Sequence, residues 1–112
     1  MHAIESQIDT QSDEYRENYE TMAARVDDLN TQMDKALNER SEKSLKRLAE
    51  NGKLPTPKKL ELLLDPNTPF LEIGPLVAKD MYDGKIHKAG IVIGIGMVAG
   101  KEVLVSANDP TI

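Results

Sequence analysis

The stretch from Gly90 to Asp109 constrains the fold of this 112-residue chain more than any other. It holds two apolar runs without helical spacing, residues 91–95 and 103–105, and Gly100-Lys101 lies between them. β-Branched runs bounded by glycine are typical of strands, and two of them around a short turn predict a hairpin. Both runs are nearly continuous rather than alternating, so we expect a sheet covered on both faces. A lone hairpin is marginal in water, and the stretch therefore requires a larger sheet.

Composition and charge argue against several classes of protein. Acidic residues outnumber basic ones 19 to 14, which argues against nucleic acid as the main partner. The chain has no cysteine, so it has neither disulfides nor thiolate chemistry. No apolar run approaches the roughly 20 residues of a membrane span, and the acidic first residues do not look like a targeting peptide. We therefore expect a cytoplasmic protein that binds neither nucleic acid nor a membrane.

The N-terminal third predicts a long amphipathic helix. Thr10 or Ser12 is suited to cap it, and apolar residues then recur at spacings of four and three as far as Leu37. Members of this stripe are Tyr15, Tyr19, Met22, Val26, Leu29, Met33 and Ala36. The stripe fits a helix packed on its own domain, or one that docks on a partner subunit. A free coiled coil is less favoured, because only about three heptads hold, Arg40 interrupts the seam and charge pairs are missing beside it.

Two further helices are predicted before the strands. Residues 38–50 form a basic helix with Leu45 and Leu48 as apolar contacts, and Asn51-Gly52 is a typical helix end. Thr56-Pro57 is expected to cap and open a third helix. We expect its leucines to be buried, namely Leu60, Leu62, Leu63 and Leu64. Residues 70–73 predict a short strand, and Tyr82-Asp83-Gly84 predicts a turn. The fold class is therefore α/β, arranged as α+β in this chain.

No catalytic or metal site emerges from the residues alone. Residues 94–99 match the dinucleotide pattern G-x-G-x-x-A, but a turn and a strand follow where that motif requires a helix. We therefore expect Gly94 and Gly96 to make room for a neighbouring backbone or to allow a bend. His87 has no second histidine or cysteine near it in the sequence, which favours a surface side chain over a metal ligand.

Several motifs in the second half resemble the start of the carboxyltransferase (β) subunit of biotin-dependent acyl-CoA carboxylases. They are Leu62-Leu63-Leu64-Asp65-Pro66, Pro69-Phe70-Leu71-Glu72-Ile73, Tyr82-Asp83 and AGIVIGIGMVAGKEVLVSAND at residues 89–109. The N-terminal helix resembles the methylcrotonoyl-CoA branch of that family. The residues that carry this second likeness are Ser6-Gln7-Ile8, Tyr15-Arg16-Glu17-Asn18 and Met22.

The resemblance implies a crotonase-like spiral fold, of which this chain holds an incomplete start. Residues 1–59 would be a helical segment, and residues 60–112 would open the N-terminal carboxyltransferase domain. The implied reaction moves a carboxyl group from carboxybiotin to an acyl-CoA, with 3-methylcrotonoyl-CoA from leucine degradation as the leading substrate. Geranyl-CoA and propionyl-CoA are the alternatives. The implied partner is a biotin carboxylase and biotin carrier (α) subunit, which brings the carboxybiotin, in a hetero-oligomer with β–β contacts.

The resemblance assigns no catalytic residue and no cofactor contact to this chain, because the family's oxyanion-stabilising turns lie further along. We therefore expect the chain alone to be inactive. Between Glu42 and Lys59 there are six basic and two acidic residues. Lys53, Lys58 and Lys59 are candidates to lie near CoA or at a subunit contact, although such a patch is more often a solvated face. A non-catalytic helical module that docks on a partner subunit remains the alternative function.

Overall fold

A computed structural model describes all of residues 1–112 and contains three regular helices, a four-residue helical turn at Met81–Gly84 and one small sheet. The elements are α1 (Asp13–Asn38), α2 (Glu42–Glu50), α3 (Thr56–Leu63), β1 (Leu71–Glu72), β2 (Ile91–Val98) and β3 (Lys101–Asn108). The chain divides into two compact units, Met1–Thr31 and Gln32–Ile112. Helices followed by antiparallel strands are the mixed class that the sequence predicts. None of the helices is long and apolar enough to span a bilayer.

The first unit consists of an extended lead-in and most of α1. The Ser12 hydroxyl accepts a hydrogen bond from the Tyr15 backbone N–H at 3.1 Å, which confirms Ser12 as the cap. Asp13 occupies the first turn, where a carboxylate is favoured by the helix dipole. The stripe predicted along the helix is open to water in this unit, since Tyr19 is 62% exposed and Met22 is 57% exposed.

The second unit is built around a three-stranded antiparallel sheet in the order β1-β2-β3. The β2–β3 hairpin is confirmed, with Ile91 opposite Asn108 and Val98 opposite Lys101. Its turn is Ala99-Gly100, one residue earlier than predicted, and both residues have positive φ (51° and 76°). Two left-handed residues in succession give the hairpin turn whose twist matches that of the strands.

The sheet has one covered face and one open face. Val92 and Val105 are buried on the inner face together with Leu60 of α3. On the outer face Leu71 is 65% exposed and Leu104 is 70% exposed. The expectation that both faces are covered is therefore wrong for this chain. The inner positions of β2 include two glycines, so the apolar run supplies most of its side chains to the outer face. No other element of the second unit lies over that face.

The start and the burial of α3 also differ from expectation. Thr56 is the first helical residue, and its hydroxyl donates to the Asn108 backbone oxygen at 2.9 Å instead of capping the helix. Pro55 takes the cap position without a side-chain hydrogen bond. Leu60 is buried, but Leu62 and Leu63 are exposed because only one side of this short helix meets the sheet.

The connections of the second unit mostly follow the sequence. In α2 the Ser41 hydroxyl accepts the Ser44 backbone N–H at 3.2 Å, and the helix ends as predicted at Asn51-Gly52, where Gly52 has a φ of 65°. Leu48 is buried but Leu45 is exposed, so only one of the two expected apolar contacts is made. Residues 82–84 form the predicted turn, with three successive positive φ values of 55°, 58° and 74°.

Candidate functional site

The three lysines singled out from the sequence are all exposed in the second unit. Lys53 lies in the connection between α2 and α3, and Lys58 and Lys59 lie in the first turn of α3. The Lys58 ammonium lies 2.8 Å from Glu61 Oε2, so its charge is partly neutralised within the helix. Lys53 and Lys59 have no ion pair and are free to meet a phosphate group. Contact of these lysines with CoA stays a prediction.

Other members of the basic segment have internal partners. Arg47 of α2 donates from Nη2 to the backbone oxygen of Pro110 at 3.2 Å. Lys46 lies 3.9 Å from Glu50 one turn along the same helix. At least part of the positive charge that the sequence gathers between residues 42 and 59 therefore joins elements of the fold or pairs locally, rather than forming one continuous surface for a ligand.

A buried ion pair joins the end of the chain to the segment after α1. Arg40 Nη2 lies 3.0 Å from Asp109 Oδ2, and the two side chains are 7% and 1% exposed. Arg40 Nε also donates to the Thr111 hydroxyl at 2.9 Å, and that hydroxyl donates to Asp109 Oδ1. Burial acts to raise the pKa of Asp109, but the hydrogen bonds from Thr111 and Arg40 and the charge of Arg40 outweigh it, so the pKa lies below its ordinary value.

A second buried pair and a histidine contact lie in the same unit. The Lys88 ammonium, whose side chain is 3% exposed, lies 2.5 Å from Glu72 Oε1 of β1. Next to it in the chain, His87 Nε2 lies 3.2 Å from Glu39 Oε1. The His87 side chain is 29% exposed, so this histidine lies at the surface in part, as the sequence predicts. No group of side chains in the chain has the make-up of a metal site.

A concavity of about 250 Å³ lies between α3 and the sheet. Its walls are Leu60, Leu64, Phe70 and Val92, and the Arg40–Asp109 and Lys88–Glu72 pairs border it. No buried side-chain polar atom in the chain lacks a hydrogen-bond partner. Each of these charged groups therefore has a partner within the chain. No reaction step is assigned to the residues of this concavity.

The Asp65 side chain binds the turn of the hairpin. Its Oδ1 accepts the N–H of Ala99 and its Oδ2 accepts the N–H of Gly100, both at 2.8 Å. The Asp65 N–H donates to the Met97 oxygen, also at 2.8 Å. Sequence reasoning finds only the turn at Asp65-Pro66, because the partners lie more than thirty positions away. The arrangement fixes the end of the hairpin to the end of α3.

Gly94 and Gly96 of β2 allow neighbouring residues to pack closely against the strand. A Cβ on Gly94 would stand 2.7 Å from the backbone oxygen of Leu71 and would overlap the Phe70 ring. A Cβ on Gly96 would stand 2.6 Å from a methyl group of Leu64. The expectation that these glycines make room for a neighbouring backbone is confirmed for Gly94, and the dinucleotide pattern is thereby explained by packing in the sheet.

Comparison with known proteins identifies the family of this segment. A family model described as the carboxyl transferase domain matches residues 47–112. The probable methylcrotonoyl-CoA carboxylase beta chain of Drosophila melanogaster is 39% identical over 97% of this chain and 19% of its own length. A probable biotin-dependent acyl-coenzyme A carboxylase beta2 subunit of Mycobacterium tuberculosis is 37% identical over the same share of this chain and 20% of its own.

A solved structure agrees with the fold as well as with the sequence. The crystal structure of the beta subunit of geranyl-CoA carboxylase from P. aeruginosa has a TM-score of 0.82 to this chain and 33% sequence identity. The match covers 99% of this chain and 21% of that subunit, so the chain spans about a fifth of the length of the relatives it matches. The resemblance drawn from the motifs around the hairpin is confirmed, and the chain belongs to the carboxyl transferase domain family.

Proposed function

We propose that this chain forms the N-terminal part of a carboxyltransferase subunit, which transfers a carboxyl group from carboxybiotin to an acyl-CoA. The observation that carries the proposal is the agreement over 99% of the chain with the beta subunit of a solved acyl-CoA carboxylase, at 33% identity and a TM-score of 0.82. Sequence and conformation agree together over the helices and the sheet. The finer architecture proposed for the whole subunit is the crotonase-like spiral, with residues 1–59 as a helical segment and residues 60–112 as the start of the first domain.

The proposed substrate is 3-methylcrotonoyl-CoA. The support for it is that relatives from Drosophila melanogaster, Arabidopsis thaliana and Dictyostelium discoideum, at 39%, 30% and 32% identity, are named methylcrotonoyl-CoA carboxylase beta chains. Geranyl-CoA is the second candidate because the solved neighbour carries that name, and propionyl-CoA is the third. These three relatives are also named mitochondrial, so a cytoplasmic location for this chain stays a prediction.

The role proposed for this chain is structural support of the reaction rather than chemistry. Its buried charges are paired with each other, and Asp65 and the two glycines of β2 hold the sheet together. Carboxybiotin supplies the transferred carboxyl group, and we propose that it arrives on a partner subunit. Lys53 and Lys59, which have no ion pair, are proposed as contacts for the phosphates of CoA.

A chimeric subunit tests the proposal. This chain would replace the corresponding first fifth of a methylcrotonoyl-CoA carboxylase beta chain, and carboxylation of the three acyl-CoA candidates would be measured with the biotin-bearing partner present. We expect activity on 3-methylcrotonoyl-CoA within about tenfold of the parent, which corresponds to about 1.4 kcal/mol in the barrier. A folded chimera with no activity on any of them would contradict the proposal, as would carboxylation by the 112-residue chain alone.

The lysines are tested in the same chimera. Replacing Lys53 and Lys59 by Glu is expected to raise KM for the acyl-CoA several-fold with little change in kcat, because a surface charge contact contributes to binding and not to the transition state. Lys43→Glu is the control, since Lys43 is exposed and has no ion pair but lies in α2, away in sequence from the proposed contacts. An equal effect of the control would refute a specific contact.

The second candidate function is a non-catalytic helical module that docks on a partner subunit. The exposed stripe along α1 is the observation that favours it. Light scattering of the chain with and without a biotin-bearing carboxylase subunit distinguishes the two candidates. If the chain binds the partner subunit but the chimeric subunit is inactive, the non-catalytic helical module is favoured.

A further inference from the structure

We propose that Asn51 is a site of spontaneous deamidation, at which the side-chain amide becomes a carboxylate at a rate controlled by the end of α2. Asn51-Gly52 is the single asparagine–glycine pair of the sequence, and both residues are exposed. The proposal goes beyond the carboxyltransferase function and does not depend on it, because it rests on the chemistry of this pair and on the hydrogen bonds around it.

The reaction needs no reagent other than water. The Gly52 backbone nitrogen loses its proton and attacks Asn51 Cγ, the new C–N bond closes a cyclic imide, and Nδ2 leaves as ammonia together with that proton. Water then opens the imide at either carbonyl group, which gives an ordinary aspartate or an isoaspartyl linkage through Cγ. Nothing is oxidised or reduced. A neutral amide has become a carboxylate, so the net charge of −5 becomes more negative by one.

Glycine at the following position makes Asn51 the most reactive asparagine of the chain. Gly52 has no Cβ, so nothing on it hinders the attacking nitrogen and its backbone turns freely. A Cβ added at Gly52 would meet no atom within 4 Å, so neighbouring residues leave the site open as well. The other asparagines are followed by larger side chains, in the pairs Asn18-Tyr19, Asn30-Thr31, Asn38-Glu39, Asn67-Thr68 and Asn108-Asp109. Asn51 is therefore expected to react first.

The intact end of α2 keeps the two reacting groups apart. The Gly52 N–H donates to the Ala49 backbone oxygen at 2.9 Å, so its proton is held in a hydrogen bond. The Asn51 amide donates from Nδ2 to the Arg47 backbone oxygen at 2.8 Å, which directs it back toward the helix. Both bonds must break before the nitrogen can reach Cγ. The reaction therefore proceeds from those molecules in which the last turn of α2 has opened, as helix ends do.

The product weakens the helix end that restrained the reaction. A carboxylate at position 51 has no N–H to donate to the Arg47 oxygen, and it places negative charge where the helix dipole is already negative. It also stands two positions before Lys53, in the segment that is otherwise rich in basic residues. The carboxylate would weaken the attraction of Lys53 for a CoA phosphate, and this consequence alone rests on the proposed function.

Peptide mapping by mass spectrometry, after incubation of the folded full chain at mildly alkaline pH, tests the site. Aspartate and isoaspartate are expected to accumulate at position 51 before any other asparagine is modified. Asn51→Gln should stay unmodified over the same period, because its longer side chain would have to close a larger and less favourable ring. Earlier modification of another asparagine would overturn the proposal, as would an Asn51 that stays intact in the folded chain.

Ser41→Ala tests the control by α2 without altering the reacting pair. The Ser41 hydroxyl accepts the Ser44 N–H at the start of this nine-residue helix, and helix formation is cooperative, so loss of the cap favours opening of the whole helix. Deamidation at Asn51 should become about fivefold faster, as the usual effect of a lost cap implies.

Ser12→Ala is the matched control for the gate, because it removes the corresponding cap of α1, and it should leave the rate at Asn51 unchanged. Unfolding in urea should speed the reaction further and abolish the difference between wild type and Ser41→Ala. Far-UV circular dichroism without urea checks that both variants fold. Equal rates at Asn51 in the folded wild type, in folded Ser41→Ala and in the unfolded chain would overturn the control by the helix end.

Discussion

Asp65 connects two distant parts of the second unit through a single carboxylate. It accepts two backbone hydrogen bonds from a turn in which Ala99 has a φ of 51°. A residue with a side chain pays about 1 kcal/mol to take this left-handed conformation, and hydrogen bonds to a charged acceptor are stronger than those between neutral groups. The carboxylate therefore holds a turn whose backbone is otherwise unfavourable at one position.

Removing this carboxylate should weaken the fold measurably. Asp65→Ala is expected to lower the free energy of unfolding by about 2 kcal/mol, because two backbone donors lose a charged acceptor. Urea unfolding followed by circular dichroism measures the change. The control is Asp27→Ala, an exposed position in α1, where the effect should stay within about 0.5 kcal/mol. Equal effects at the two positions would show that the carboxylate does not hold the turn.

The Arg40–Asp109 pair makes stability depend on acid pH. The pKa of Asp109 is lowered from the ordinary value of 3.8, so its contribution is fully present above that value and is lost as the pH falls through the lowered pKa. Asp109→Asn should therefore destabilise the chain by about 3 kcal/mol at neutral pH, because Arg40 is left buried and unpaired. The difference from the wild type should shrink below pH 3.8, as thermal unfolding at several pH values would show. A difference that stays constant into strong acid would contradict the pairing.

At the scale of elements, the sequence predicts those features that neighbouring residues determine, such as a turn or the start of a helix. Glycine between two β-branched runs predicts the hairpin, and Thr10 or Ser12 before an acidic turn predicts the start of α1 to within two residues. The two-residue pairing of Leu71–Glu72 with β2 is decided by contacts from elsewhere in the chain. Which leucines of α3 are buried likewise depends on which side of the helix faces the sheet. The sequence does not reveal that side, because the four leucines lie close together and cover most of the helix circumference.

β1 and β2 can approach closely because Gly94 has no side chain. Gly94→Ala would place a Cβ 2.7 Å from the Leu71 backbone oxygen, which cannot move without breaking the strand pair. We expect a loss of about 1–3 kcal/mol in the free energy of unfolding. In the control Gly90→Ala the nearest atom to the new Cβ is 3.6 Å away, an ordinary contact, so thermal unfolding should change little. If Gly94→Ala and Gly90→Ala changed the unfolding temperature equally, the close packing at Gly94 would be contradicted.

The molecule as a whole presents two apolar surfaces, one in each unit. Its fold can be predicted from the sequence to a larger extent than its candidate site. The family follows from motifs around the hairpin, which are local in sequence. The buried pairs Arg40–Asp109 and Lys88–Glu72 join residues 69 and 16 positions apart, and sequence spacing gives no indication that they meet. Charge density in the sequence points to the three lysines, but it cannot distinguish a free lysine from one that is paired with a neighbouring glutamate.

The outer face of the sheet should bind hydrophobic dyes. Leu104 stands opposite Ile95 on that face and is 70% exposed, so Leu104→Thr should lower the fluorescence of a bound naphthalene sulfonate dye. The free energy of unfolding should change by about 0.5 kcal/mol or less, because little buried area is lost. Leu60→Ala, at a buried position, should instead cost about 2–5 kcal/mol. Dye binding that is insensitive to Leu104 would place the apolar surface elsewhere.

The contact between Asp65 and the hairpin turn also acts as a check on strand register. If β3 slipped by one residue so that Ser106 took the place of Val105 opposite Gly94, Val105 would turn to the outer face and a polar side chain would enter the core. The same slip would relocate the turn, and the N–H groups of Ala99 and Gly100 would no longer meet the two carboxylate oxygens. A misaligned hairpin thus loses its core packing and its anchor together, so one acidic side chain at the end of α3 helps to select the correct alignment of two strands that follow it by more than twenty-five residues.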